Sequence, residues 1–279
     1  MNLDGKTVII TGANTGLGFA VAKSLANQKV HEILVCRNSE RAEKVKSEIE
    51  KAVTGANIDV MICDLGSMKS IHSFIRRFQE TYSKLDILYN NAAVMKRKRT
   101  LTEDGFETMF QINYLAPVIL VRSLFNFLKK GIEPQIINNG RPAENLRLDL
   151  DDLQFEKSYH MYHSFFKTKL CLLFASLEFS RRFEKDGISV YMGEPGPFKS
   201  DLVRDLPIMN WFKNLFSAPV EKAAKHMIHL ITMGETKNKS GKLFTKSIEV
   251  PLTDYWQDPI IRQKLWSMTN SLIEGKAKY

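Results

Sequence analysis

The chain has 279 residues, 44% of them hydrophobic and 25% charged, with a formal net charge of +9. That is an ordinary globular composition, long enough for one large α/β domain or two small ones. No apolar run approaches the ~20 residues of a bilayer span, so no transmembrane segment is expected.

The opening MNLDGKTVIITG lacks a charged region followed by an apolar one and a cleavage site, so no secretory leader is expected. Thr7–Thr11 (TVIIT) reads as a short buried strand and Gly16–Gln28 as a helix. Ile33–Cys36 is a second strand, Ser39–Val53 a charged helix, and Val60–Cys63 closes a third strand. Met68–Tyr82 is helical, with Ile71, Phe74, Ile75 and Phe78 on one stripe. Ile87–Tyr89 starts a fourth strand, and Gly105–Leu128 is mostly helical with a bend expected at Pro117. Gln135–Asn138 is a fifth strand, Tyr162–Glu184 a long helix, and Ile188–Met192 a sixth strand. An irregular segment follows to Ala218, then a helix (Val220–Met233), a short strand (Lys242–Thr245) and a C-terminal helix from about Asp258. Alternating strands and helices with continuously apolar strands predict a doubly wound, Rossmann-type α/β parallel sheet. With no linker or repeat, residues 1–279 form a single domain, and a ligand belongs where the strand order reverses.

The loop after the first strand, TGANTGLG, is the sharpest signal. Gly12 permits a tight turn, Gly16 lets backbone approach a pyrophosphate at the helix N-terminus, and Gly18 allows close helix packing. A strand precedes the loop and a helix follows it, as dinucleotide binding requires. At the end of the second strand stands Cys36-Arg37-Asn38, with no acid for the ribose hydroxyls. Arg37 suits a 2′-phosphate, so NADP(H) is favoured over NAD(H). The alternative is Arg37 as a plain surface charge.

The positive charge gathers only at Lys96–Arg99 (KRKR), which reads as a solvated loop, an anionic-ligand contact or, least of all, a nucleic-acid contact. Cys36, Cys63 and Cys171 are isolated in apolar surroundings, which suits reduced thiols and makes a cytoplasmic location the default. His226 and His229 share a helix face, but no third ligand has motif-like spacing, so no metal is expected.

The set TGANTGLG, CRN, Asp64-Leu65, NNAA (Asn90–Ala93), FQIN (Phe110–Asn113), DDLQFEKSY (Asp151–Tyr159), EPG (Glu194–Gly196) and SGKLF (Ser240–Phe244) resembles the short-chain dehydrogenase/reductase family. In detail it looks most like the retinol-dehydrogenase-like branch, which implies an oxidoreductase acting on lipophilic carbonyls or alcohols. The resemblance implies that Gly12, Asn14, Gly16, Leu17 and Gly18 line the cofactor phosphates, that Arg37 holds the 2′-phosphate, and that Asn38 is also a cofactor-binding residue. It implies Asp64 and Leu65 beside the adenine, Asn91 and Ala92 on the adenosine side, Lys169 on the nicotinamide ribose, and Pro195 and Gly196 over the nicotinamide. Dimers and tetramers are common in that family.

The family reaction uses an asparagine that holds a relay water, a serine, a tyrosine and a lysine. Asn113 and Lys169 match. The serine pair expected after the fifth strand is Gly140-Arg141 here, and the tyrosine position, four before Lys169, is Phe165. Setting Lys157–Tyr159, Lys169-Leu170 and Arg181-Arg182 in step with the family needs no gap and keeps Phe165 there. Tyr162 lies one turn earlier, its Cα about 10 Å from that of Lys169 along the helix. It reads as a substitute catalytic group or, more simply, as packing or substrate lining. His163 reads as a surface histidine, Asn138 and Asn139 as spare amide donors, and Glu194 stands where close relatives often carry histidine. Asp205–Ala218, with Met209, Trp211, Phe212, Leu215 and Phe216, falls within the family's variable lid at about 197–218. It reads as a pocket for a lipophilic substrate, as packing of a short helix, or as a peripheral membrane foot. Three readings remain: an NADP(H) oxidoreductase with altered proton delivery, a catalytically silent NADP(H) binder acting as sensor or partner module, or a scaffold that has lost the cofactor.

Overall fold

A computed structural model describes residues 1–198, 218–234 and 236–275. β1 (Thr7–Thr11) is followed by α1 (Gly16–Ala26), β2 (His31–Cys36), α2 (Ser39–Ala52), β3 (Asn57–Ile62), α3 (Met68–Thr81) and β4 (Ile87–Asn90). A helical run then comprises α4 (Thr108–Phe110), a π-helical turn (Gln111–Leu115) and α5 (Ala116–Leu128). β5 (Gln135–Asn139), α6 (Met161–Phe183), β6 (Ser189–Glu194), α7 (Val220–Thr232), β7 (Leu243–Thr245) and β8 (Ile248–Val250) complete the sheet and its cover. Two helices close the described chain, α8 (Asp254–Gln257) and α9 (Pro259–Glu274).

The strands run in the order β3-β2-β1-β4-β5-β6-β7-β8, parallel except for the final β7–β8 pair. Every residue of β1 is buried, because helices cover both faces of the sheet. Strand alternation sends Ile9 to one core cluster and Val8 and Ile10 to the other. The stripe of α3 lies fully inside the first cluster through Ile71, Phe74 and Phe78, each burial contributing about 1.5–3 kcal/mol. β1 pairs with β2 on one side and β4 on the other. The chain's winding reverses between β1 and β4, so their following loops diverge and open a crevice.

The irregularity expected at Pro117 is a π-helical turn just before it. Pro117 brings no N–H to the helix, and the Ala116 N–H reaches back five residues to the Gln111 carbonyl. The helical run Thr108–Leu128 is long and apolar enough to cross a membrane by length and composition, but its apolar window is 78% buried as a core element. The lid expected at about 197–218 lies outside the described residues, apart from Pro197, Phe198 and Ala218. Phe198 and Ala218 pair in an isolated parallel bridge.

Candidate active site

One cleft of about 630 Å³ runs along the C-terminal edge of the sheet. Its first wall is the β1–α1 loop. Gly12 (φ +66) and Gly16 (φ +54) take left-handed backbone, and a Cβ at Gly16 would meet no atom within 4 Å. The loop therefore presents bare backbone to the cleft, as a pyrophosphate cradle needs. Asn14 and Leu17 also line it. Gly18 does not. A Cβ there would sit 2.4 Å from the Gly12 carbonyl and 2.6 Å from Asn91 Nδ2, so Gly18 works through close packing. Asn91 rivets the loop, its Nδ2 donating to the Thr11 carbonyl at 2.9 Å. The Ala92 N–H donates to Thr11 Oγ1 at 3.0 Å, and both residues line the cleft with Ala93.

At the outer end stand Arg37, Asn38 and Arg41. Asn38 caps α2: its Oδ1 accepts the Arg41 N–H at 2.8 Å. Arg41 also lines the cleft, a second guanidinium to which the sequence reading gives no role. Its only signal is the four-residue step from Arg37. Asp64 and Leu65 line the neighbouring wall, and Asp64 Oδ1 accepts the Gly66 N–H at 2.9 Å. Beneath, burial pushes the Cys36 thiol up to about 11. All three cysteines are buried and free.

The inner end is built on α6. Tyr162, Phe165 and Lys169 all line the cleft. Lys169 is 3% exposed, and its Nζ donates to the Asn139 carbonyl at 2.8 Å. Burial drives its pKa down to about 8. The Phe165 ring centre lies 5.7 Å from that nitrogen. Gly140 takes φ +125, and a Cβ there would press on Lys169 Cδ and Cε at 3.0 Å. Arg141 lines the cleft and ion-pairs with Glu144. Pro195, Gly196 and Glu194 close the far side, with Glu194 Oε2 accepting from Thr245 Oγ1 at 3.1 Å.

The remaining residues singled out in the sequence take different places. Asn113 is fully buried and does not line the cleft. Its Oδ1 accepts the Val94 N–H at 2.8 Å, and its Nδ2 donates to the Val94 carbonyl at 2.9 Å and to Thr168 Oγ1 at 3.2 Å. Both amide hydrogens are thus consumed in fastening the β4 loop to α6, so the side chain is a positioning element. Asn138 is buried and does not line the cleft, its Nδ2 donating to Ser176 Oγ at 2.8 Å. Asn139 Nδ2 donates to Asn91 Oδ1 at 3.2 Å. Tyr162 is 39% exposed at the mouth of the cleft. His163 is exposed, its ring 5.5 Å from that of His160. In the basic loop, Arg99 pairs with Glu156 at 3.2 Å, while Arg97 and Lys98 face solvent. No metal-holding group of His, Cys, Asp or Glu occurs among the described residues.

A family model for the short chain dehydrogenases matches residues 6–144. Retinol dehydrogenase 13 of Mus musculus is 32% identical, the match covering 97% of this chain and 84% of that protein. Retinol dehydrogenase 11 of Homo sapiens is 31% identical over 98% of this chain and 87% of its own. Among solved structures, the L-sorbose reductase of Gluconobacter frateurii, complexed with NADPH and L-sorbose, superposes with a TM-score of 0.68 at 19% identity. That superposition covers 88% of this chain and 97% of the reductase. At that identity it speaks for the fold.

Proposed function

The chain belongs to the short-chain dehydrogenase family, and from that premise we propose that it is an NADP(H)-dependent oxidoreductase acting on a lipophilic alcohol, carbonyl or activated alkene, with altered proton delivery. The observation that carries the reading is the single cleft joining the glycine loop and two guanidinium groups at one end to a buried lysine at the other. Gly12, Gly16 and the first turn of α1 suit the pyrophosphate. Arg37 and Arg41 suit the 2′-phosphate, Asp64 and Leu65 the adenine, and Pro195 and Gly196 the nicotinamide side. When bound, the nicotinamide gives or takes the hydride.

The protein's own residues at the inner end shape and dry the reacting centre. Val94, Met95, Phe165 and Phe166 supply an apolar wall, which excludes water and favours a lipophilic substrate. Two relatives carry retinol dehydrogenase names, so a retinoid aldehyde is the first substrate to try. Phe165 stands at the tyrosine position and Gly140-Arg141 at the serine pair. A general acid is typically worth about 10²–10⁴-fold, and an oxyanion donor about 10²–10³-fold. The missing hydroxyl at Phe165 also favours a second reading, a silent homologue that binds NADP(H) without turning it over.

Fluorescence titration with NADPH and NADH tests the core of the proposal. NADPH is expected to bind saturably and more tightly. Arg37→Ala should weaken it about 10-fold or more, the scale of one lost charge-assisted contact, and leave NADH nearly unchanged. Equal affinity for the two nucleotides, or no saturable binding, overturns it. Steady consumption of NADPH with the retinoid aldehyde then excludes the silent reading.

A further inference from the structure

We propose that Lys169 is itself the acid of the reaction: its ammonium, in place of a tyrosine hydroxyl, hands a proton to the oxygen of a carbonyl substrate. The inference rests on the oxidoreductase reading above and names the group that completes it.

Three features of geometry converge on this nitrogen. The side chain one helical turn before Lys169 on α6 is the phenyl ring of Phe165, 5.7 Å from Nζ, so no hydroxyl from that position stands between the ammonium and the cleft. The bond to the Asn139 carbonyl at 2.8 Å fixes Nζ while using one of its three N–H donors. Gly140 clears the stem of the lysine, because a Cβ there would press on Cδ and Cε at 3.0 Å. A lysine held in this manner, buried yet lining the cleft, is oriented for transfer. Burial also brings its pKa to about 8, near the range in which an acid transfers a proton efficiently at neutral pH. The charged and titratable groups lining the inner end with it are Arg141 from the loop after β5, Glu194 at the end of β6, and Tyr162 on α6.

The step balances simply. With a hydride delivered from the reduced cofactor to the carbonyl carbon, the C=O π pair moves onto oxygen. One N–H bond of Lys169 breaks, its electron pair staying on nitrogen, and an O–H bond forms. The neutral amine then regains a proton from solvent through the mouth of the cleft beside Tyr162. In the alcohol-oxidising direction the neutral amine accepts the same proton.

The test combines a measurement without turnover and one with it. In the cofactor-free protein, pulse acetylation with acetic anhydride, read at Lys169 by peptide mass spectrometry across pH, should show a midpoint near 8 rather than the usual 10.5. With NADPH and the retinoid aldehyde, kcat/KM should fall about tenfold per pH unit above that midpoint, since the acid must be protonated. Lys169→Arg, whose guanidinium holds its proton, should lose about 100-fold or more in turnover while still binding NADPH by fluorescence. In Lys169→Ala, added methylamine should restore part of the turnover, and weaker-acid amines less. An acetylation midpoint near 10.5, wild-type turnover in Lys169→Arg, or no amine rescue overturns the acid role alone. Saturable NADPH binding without wild-type turnover removes the oxidoreductase reading and this step together.

Discussion

Glu32 lies in β2 between Val8 and Ile58 of the flanking strands. It is fully buried, and neither carboxylate oxygen has a hydrogen-bond partner among the described residues. Burial holds its carboxyl well above the usual carboxylate range. Such a group works against the fold: an unpaired buried polar group costs about 1–3 kcal/mol. Glu32→Val, apolar and β-branched at a strand position, is therefore expected to raise the melting temperature by a few degrees. The sign with pH is fixed by the raised folded pKa. Below the ordinary value of 4.5 both folded and unfolded chains hold the proton, and the ionisation deficit vanishes. Above it the unfolded chain ionises while the folded one resists, so the deficit grows. Thermal melts at pH 4 and pH 7 should show the variant's advantage larger at pH 7. An equal or negative shift at pH 7 would mean that Glu32 has a partner in solution. Lys169 meets the same low dielectric with a use for it, since a depressed amine pKa is what an acid working near neutrality requires.

Helix α9 docks on α6 through a carboxylate that lies inside the joint. Glu178 is 2% exposed. Its oxygens accept from Arg181 Nη2 at 2.8 Å and Arg182 Nε at 2.7 Å, and Arg262 of α9 lies 3.3 Å away. Burial pushes this carboxyl up, but the hydrogen bonds and charges of Arg181 and Arg182 outweigh it and hold it below the usual range. The stabilisation is therefore present above the ordinary carboxylate pKa and is lost as pH falls through the lowered one. Glu178→Gln is expected to lower stability by about 1–3 kcal/mol at pH 7, with faster hydrogen exchange in α9 measured by mass spectrometry. Unchanged exchange there would deny Glu178 its role as the joint. Elements of this length and periodicity are legible in the sequence: β1 has the expected bounds, and α3 buries the expected stripe. What escapes is local and irregular. β8 follows a turn in which Lys246 and Ser247 both take positive φ, without the Asn or Gly that signals a hairpin. The π-helical turn at Gln111–Leu115 is written only as a proline a little further on. Asn113 is legible as a family residue, but its bonds to Val94 and Thr168 depend on how the β4 loop meets α6, which no local pattern encodes. The same holds for Arg41, placed at the cleft by the turn into α2.

At the scale of the molecule, the reversal between β1 and β4 makes the cleft a joint between two halves of the sheet. Asn91 spans that joint: it donates to the Thr11 carbonyl at 2.9 Å on the β1 side and accepts from Asn139 at 3.2 Å on the β5 side. A dinucleotide along this cleft would touch loops from both halves and so would bind the assembled fold and not the unfolded chain. Linkage then converts affinity into stability. A ligand at 100 times its Kd adds about 2.7 kcal/mol, which at about 2–4 °C per kcal/mol for domains somewhat smaller than this one gives a rise of roughly 5 °C. NADPH at that excess should raise the melting temperature by this amount, and NADH at the same concentration by less, because Arg37 and Arg41 gain nothing from a free 2′-hydroxyl. Asn91→Ala removes the rivet without touching either arginine. It is expected to lower the melting temperature of the free protein and to shrink the NADPH-induced rise, because part of the binding energy must then reorder the loops. Scanning fluorimetry on wild type and variant, with each nucleotide, measures all four quantities. An NADPH shift of full size in Asn91→Ala would place the preorganisation of the site in the glycine loop alone, whereas a diminished one gives Asn91 a part in holding the nucleotide, through the crossing or through its own place in the cleft wall.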